Sequence, residues 1–205
     1  MENNHRIRMA GTLYTVGGAL WLGWILGWSL LTGDIPGPGS QLFYLSQIGF
    51  IIIQVLLFIG FLGIWWSRGV GSGLFGKIAF GLGLLGHFVF ILAELYSLAA
   101  GSEDLLPVAA LTTTLGFILT GIAVLRTKRW QGWGRFTPLV AGIYPLVGMF
   151  PFLIISGEPS YIGIGLWGLF RLLLGLAMRE QASLASLLAV DQPGGTGRVH
   201  GAESA

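Results

Sequence analysis

The stretch LLGHFVFILAELYSL, residues 84–98, is apolar enough to lie in lipid, yet it carries an imidazole at His87 and a carboxylate at Glu94. Its setting decides how those groups are read. Of 205 residues, 54% are hydrophobic and 10% charged. Soluble domains carry about 25% charged residues, so this chain lacks the polar surface to cover itself in water. Its apolar residues fall in long runs, which predicts an all-α polytopic membrane protein.

A helix needs about 20 mainly apolar residues to cross a bilayer. Six such spans are predicted, at about 9–31, 42–66, 77–99, 105–126, 136–156 and 160–179, joined by GDIPGPGSQ, SRGVGSGLFGK, AGSED, TKRWQGWGR and SGEPS. Short loops make neighbouring helices antiparallel. Arg6 and Arg8 precede the first span, Arg68 and Lys77 flank the second loop, and Arg126, Lys128, Arg129 and Arg135 crowd the fourth. The odd-numbered loops hold only Asp34, Glu103, Asp104 and Glu158 as charges. The positive-inside rule then places both termini in the cytoplasm and the chain in a bacterial inner (plasma) membrane. The first apolar run is too long for a signal-peptide core and lacks an A-x-A-like cleavage site, so it is expected to stay as a helix. Residues 181–205 are expected to form a cytoplasmic tail, largely disordered, with Leu184, Leu187 and Leu188 able to touch the membrane surface.

Several patterns bear on packing. Gly23 and Gly27 form a G-x-x-x-G pair, which predicts a close helix contact within the chain or a homo- or hetero-oligomer through that face. Gly81, Gly83 and Gly86 suggest the same for the third span, and Gly163, Gly165 and Gly168 for the sixth. Trp21, Trp24 and Trp28 make one stripe on the first helix, while Trp65, Trp66, Trp130 and Trp133 sit at helix ends, where indoles favour the headgroup layer. GIWWSRGVGSGLFGK (63–77) aligns without gaps on GIAVLRTKRWQGWGR (121–135), as a repeated helix hairpin would. Pro145 and Pro151 fall inside the fifth span and should kink it, and broken membrane helices often border cavities.

His87 and Glu94 are seven residues apart, two helical turns less about 20°, with a rise of about 10 Å. They therefore share a face of the third span. Arg171, in FRLLLG, falls near the middle of the sixth, where a charge costs about 2.5–3.5 kcal/mol on insertion scales. Arginine stays protonated, and Glu94 is the one carboxylate within the predicted spans. A Glu94–Arg171 ion pair is therefore expected if the third and sixth spans touch, and losing Glu94 would then strand Arg171. Gln47 and Gln54 repeat the seven-residue spacing on the second span; Thr112, Thr113, Thr114, Thr120 and Tyr144 could add hydroxyls. The expected ligand-binding set is Glu94, Arg171, His87, Gln54 and Tyr144.

With no cysteine in the chain, disulfides, thiolate metal sites, Fe–S clusters and cysteine catalysis are excluded. One intramembrane histidine cannot ligate a haem from both sides, and no catalytic triad, P-loop, metal-spaced cluster or mid-span lysine is legible. No catalytic residue, cofactor, metal or nucleic-acid partner is therefore expected. An acid–base enzyme using His87 and Glu94 is disfavoured by their separation. GFILTGIAVLRTKRWQGWGRFTPLVAGIYPL (116–146) resembles uncharacterised bacterial multi-pass proteins, a likeness that implies no activity. Size and topology are similar to substrate-binding subunits of vitamin-uptake transporters, whose small-residue motif on the first helix is met here only by Gly11 and Thr15. The expected function is binding of a small polar or anionic ligand, or protons, at an intramembrane site, in transport or sensing. The competing expectation is a non-catalytic scaffold subunit, with Glu94–Arg171 as a structural pair.

Overall fold

A computed structural model describes residues 2–32, 37, 39–157 and 160–190; Asp34, Glu158 and the tail from 191 lie outside the described residues. It is all-helical over those residues: α1 (Glu2–Thr32), α2 (Gln41–Trp66), α3 (Leu74–Ala100), α4 (Leu106–Thr127), α5 (Thr137–Gly148), α6 (Phe150–Ser156) and α7 (Tyr161–Val190), with a 3₁₀ turn at Gly132–Phe136. Six helical stretches are long and apolar enough to cross a membrane, the fifth running from Gly132 to Ser156 through α5 and α6. The start signals are local. Ser40 caps α2 by accepting from the Phe43 amide (3.0 Å), and Pro107 and Pro138 occupy the first turns of α4 and α5, where a missing N–H costs nothing.

The helices form a ring in chain order, α1–α2–α3–α4–α5–α7, closed by α7 on α1. The first and last helices run antiparallel in the closest contact of the molecule. Glycines seven apart on each, Gly11 and Gly18 against Gly168 and Gly175, let the backbones meet. A Cβ at Gly18 would lie 2.4 Å from the Leu172 nitrogen, and one at Gly175 would lie 2.4 Å from the Thr15 nitrogen. The Gly23/Gly27 pair does not make the expected contact within the chain: a Cβ at either meets nothing within 4 Å. These two glycines lie on a face of α1 turned away from its neighbours. Gly83 and Gly86 do pack, against α2 and α4, whereas Gly81 is open.

Both ends of the described chain lie at one end of the ring, where Asn4 Nδ2 donates to Ser186 Oγ (3.1 Å) and Asn3 Nδ2 to the Trp66 carbonyl (3.1 Å). We call this the basic end; the opposite end carries Glu103 and Asp104. The α2–α3 and α4–α5 loops pack together at the basic end, Trp130 Nε1 donating to Ser67 Oγ (3.0 Å). In the aligned stretches α3 begins at Leu74 and the 3₁₀ turn at Gly132, which are equivalent positions. However, α2 stops at Trp66 while α4 runs to Thr127, three residues beyond the aligned position.

Two stretches differ from expectation. Residues 181–190 continue α7 rather than forming a tail separate from the sixth span. QASLASLLAV contains no helix breaker, Ala182 is buried, and Gln181 bonds both the N–H (3.1 Å) and the carbonyl (3.0 Å) of Gln131. The fifth span does more than kink. At Met149 the backbone leaves helical geometry (φ −120°, ψ −59°), because Pro151 has no N–H for the carbonyl one turn back. No residue of the following helix, α6, is buried, and its backbone lies near that of α5 alone among the helices. At the acidic end the wall between α4 and α7 is left to this detached segment.

Candidate functional site: a cavity floored by aromatic rings

That thin wall borders a cavity of about 450 Å³ at the acidic end. Five helices contribute residues about one turn apart on their inward faces: Trp21 and Ile25 from α1, Gln47 and Phe50 from α2, Phe90 and Glu94 from α3, Leu106 and Ala110 from α4, Ile164 and Trp167 from α7. Met149, Phe150 and Leu153 at the broken span close one side, and Glu103 and Asp104 stand in the α3–α4 loop. The broken span therefore does border a cavity.

The charged groups lining the cavity, Glu94, Glu103 and Asp104, are all acidic. Glu94 is only 2% exposed, and its Oε2 has no hydrogen-bond partner. Glu103 accepts from Gln47 Nε2 (3.3 Å) and lines the same cavity as Glu94. Burial pushes the Glu103 carboxyl above the usual carboxylate range, and the Gln47 bond partly offsets this. Among the described residues no three His, Asp or Glu side chains are grouped to hold a metal ion.

Three rings form the floor. Trp21, Phe90 and Trp167 meet with centroid separations of 5.8 to 6.0 Å. Both indoles are locked, Trp21 Nε1 donating to the Ile164 carbonyl and Trp167 Nε1 to the Ala141 carbonyl, each at 2.8 Å. Arg171 lies behind the floor, fully buried. Its guanidinium carbon is 3.9 Å from the Trp167 ring centre, 4.4 Å from Trp21 and 5.6 Å from Phe90. Ring faces attract a cation but accept no conventional hydrogen bond here, and all three guanidinium nitrogens lack a partner.

The expected Glu94–Arg171 ion pair is not formed. Among the described residues the one ion pair is Arg6 with Glu2, at the surface. The physical reason is the ring order: α3 and α7 face one another across the centre rather than packing together, and the rings that floor the cavity cover the guanidinium. The scaffold reading thereby loses the pair that was to set helix register.

The other expected residues divide by depth. His87 is fully buried below the floor, its Nε2 bonded to the Tyr14 hydroxyl (3.2 Å) and its Nδ1 without a partner. Phe61 and Phe117 pack on its ring at 5.1 and 5.5 Å. Gln54 is likewise fully buried, with neither amide atom bonded. Tyr144 is outside the cavity lining: its hydroxyl donates to the Gly163 carbonyl (2.8 Å) and its ring lies 4.5 Å from that of Phe170, bracing α5 on α7. The structure thus puts Glu94 on the cavity wall, puts Arg171, His87 and Gln54 in the layer beneath, and separates Tyr144 from both.

Sequence reasoning did not find Trp167, Phe90 or Glu103. A usable signal existed for Trp167, which precedes Arg171 by four residues and so lies one turn away on the same face. Glu103 read only as a loop charge. No family model, no curated protein and no solved structure matches the chain, so any function must be argued from this geometry.

Proposed function

We propose that the chain is a multi-pass membrane protein that takes a small organic cation with an apolar body into the acidic-end cavity, in transport or sensing. The observation that carries this is Glu94: a carboxyl 2% exposed, with an unpartnered oxygen, on the wall of an aromatic-lined cavity of about 450 Å³. Ionisable groups inside membranes mark ligand or ion pathways, and cavities of this size with few polar groups suit small ligands. The acids select the sign of charge. An anion would meet Glu94 and Glu103 before it could reach Arg171, which the floor covers, so a cationic ligand is proposed in place of the small polar or anionic ligand, or protons, expected from sequence. Indole faces at the floor add attraction for a quaternary or protonated amine. With both termini cytoplasmic the cavity opens outward.

Thermal shift of the purified protein tests this with three probes of one shape: benzyltrimethylammonium, neutral neopentylbenzene and anionic benzylsulfonate. The cation alone should raise Tm, and the Glu94→Gln variant should abolish the rise. An equal response to all three, or a preference for the anion, would overturn the reading. A scaffold subunit would respond to none of them. Uptake into proteoliposomes then separates transport from sensing.

A further inference from the structure

The basic end carries a second recess, built from different chemistry. Two adjoining clefts of about 610 and 330 Å³ share Gly71, Ser72 and Arg129. The larger is lined by Trp65, Trp66, Arg68 and Lys77, the smaller by Phe75 and Arg126. Four cations therefore line one continuous groove, and no carboxylate lines either cleft. Among the described residues none of the four is in an ion pair.

The positive-inside rule explains why these loops are basic. It does not explain why side chains from two separate hairpins converge. The convergence is held by bonds between the loops, Trp130 Nε1 to Ser67 Oγ (3.0 Å) and Thr127 Oγ1 to the Gly69 carbonyl (2.6 Å). It also has a conformational cost. Arg68 sits in the left-handed region (φ 53°), where glycine is the unstrained choice and a side chain is disfavoured. Keeping an arginine there retains its side chain at the groove.

The rim is apolar and faces outward. Trp65, Leu74, Phe75 and Ile78 are all exposed beside the cations. A ligand that satisfies both features carries a negative headgroup and an acyl chain. The geometry points to this groove as a binding site for the phosphate headgroup of an anionic phospholipid, its chain running over Leu74 and Ile78. Basic pockets between transmembrane helices at the cytoplasmic face bind such headgroups. The site is independent of the cavity at the other end.

Native mass spectrometry of the delipidated full chain tests the assignment by titration with phosphatidylglycerol or phosphatidylcholine. Phosphatidylglycerol should be retained at least tenfold more tightly. That preference should be lost in Arg68→Gln/Arg129→Gln and weakened in Lys77→Gln. It should persist in Arg8→Gln/Arg135→Gln, which removes the same charge at the same end outside the groove. Equal retention of both lipids, or equal losses in the two double variants, would overturn the site. Displacement of phosphatidylglycerol by millimolar inorganic phosphate would show a free-phosphate site and overturn the lipid assignment. Circular dichroism of each variant separates these outcomes from misfolding.

Discussion

Arg171 holds its charge against three ring faces where the sequence suggested a carboxylate. Cation–π contacts reach about 2 kcal/mol when desolvated, so Trp167 and Trp21 together are of the size of the 2.5–3.5 kcal/mol insertion cost of a central charge. The donors remain unsatisfied. Replacing buried ion pairs by apolar residues of similar volume is often neutral, or stabilising by about 1–4 kcal/mol, and Arg171 has no counter-ion that its replacement would strand. Arg171→Met should therefore match or exceed the wild type in thermal stability, and a large drop in Tm would show that the guanidinium has a partner. Because no ion pair is broken, Glu94→Gln should leave Tm nearly unchanged while lowering cation affinity at least tenfold. The pH dependence follows from Glu103. Burial favours its neutral form, so it becomes a carboxylate only above the usual range near 4.3. Cation affinity should thus rise with pH through that raised value and fall on acidification sooner than an ordinary glutamate would allow. Stability has the opposite sign: the fold binds this proton more tightly than the unfolded chain, so its contribution is full at low pH and is lost as pH rises. Titrating affinity in wild type and Glu103→Gln checks this, since the variant should lose that limb. At this scale the sequence made Glu94, Arg171 and His87 legible as buried polar groups, because their hydrocarbon setting is visible residue by residue. Their pairing was not legible, because it depends on which helices adjoin.

Helix existence was legible because an apolar run of membrane length has one economical conformation. The six stretches differ from expectation chiefly at their ends, above all where α7 runs on to Val190. Proline chemistry pointed to a kink in the fifth span, though not to a full break at Met149 with α6 packed mainly on α5. Glycine was harder to read, since spacing alone does not say which face meets a neighbour. G-x-x-x-G pointed to Gly23 and Gly27, but the contact is made by Gly11, Gly18, Gly168 and Gly175 at heptad spacing. Gly18→Val or Gly175→Val should destabilise the monomer by at least about 1–3 kcal/mol through overpacking, measured by unfolding in mixed micelles. Gly23→Val and Gly27→Val should leave monomer stability unchanged. If these two destabilise it as much as the first pair, the α1–α7 seam is misplaced.

At the scale of the whole molecule, the closed ring puts both described chain ends, the basic loops and the lipid groove at one end, and the acidic cavity at the other. The lack of native cysteine makes the orientation directly measurable by single-cysteine labelling. In intact spheroplasts a membrane-impermeant maleimide should modify Ser102→Cys, whereas Ser72→Cys should react only after permeabilisation. The reverse pattern would invert the molecule and turn the cavity toward the cytoplasm. The measurement that bears most directly on the central claim is equilibrium binding of radiolabelled benzyltrimethylammonium to the purified wild type and Glu94→Gln, both verified as folded. Saturable binding of one cation per chain, weakened at least tenfold in the variant, is the predicted result; equal binding by the two proteins, or none by the wild type, would contradict it.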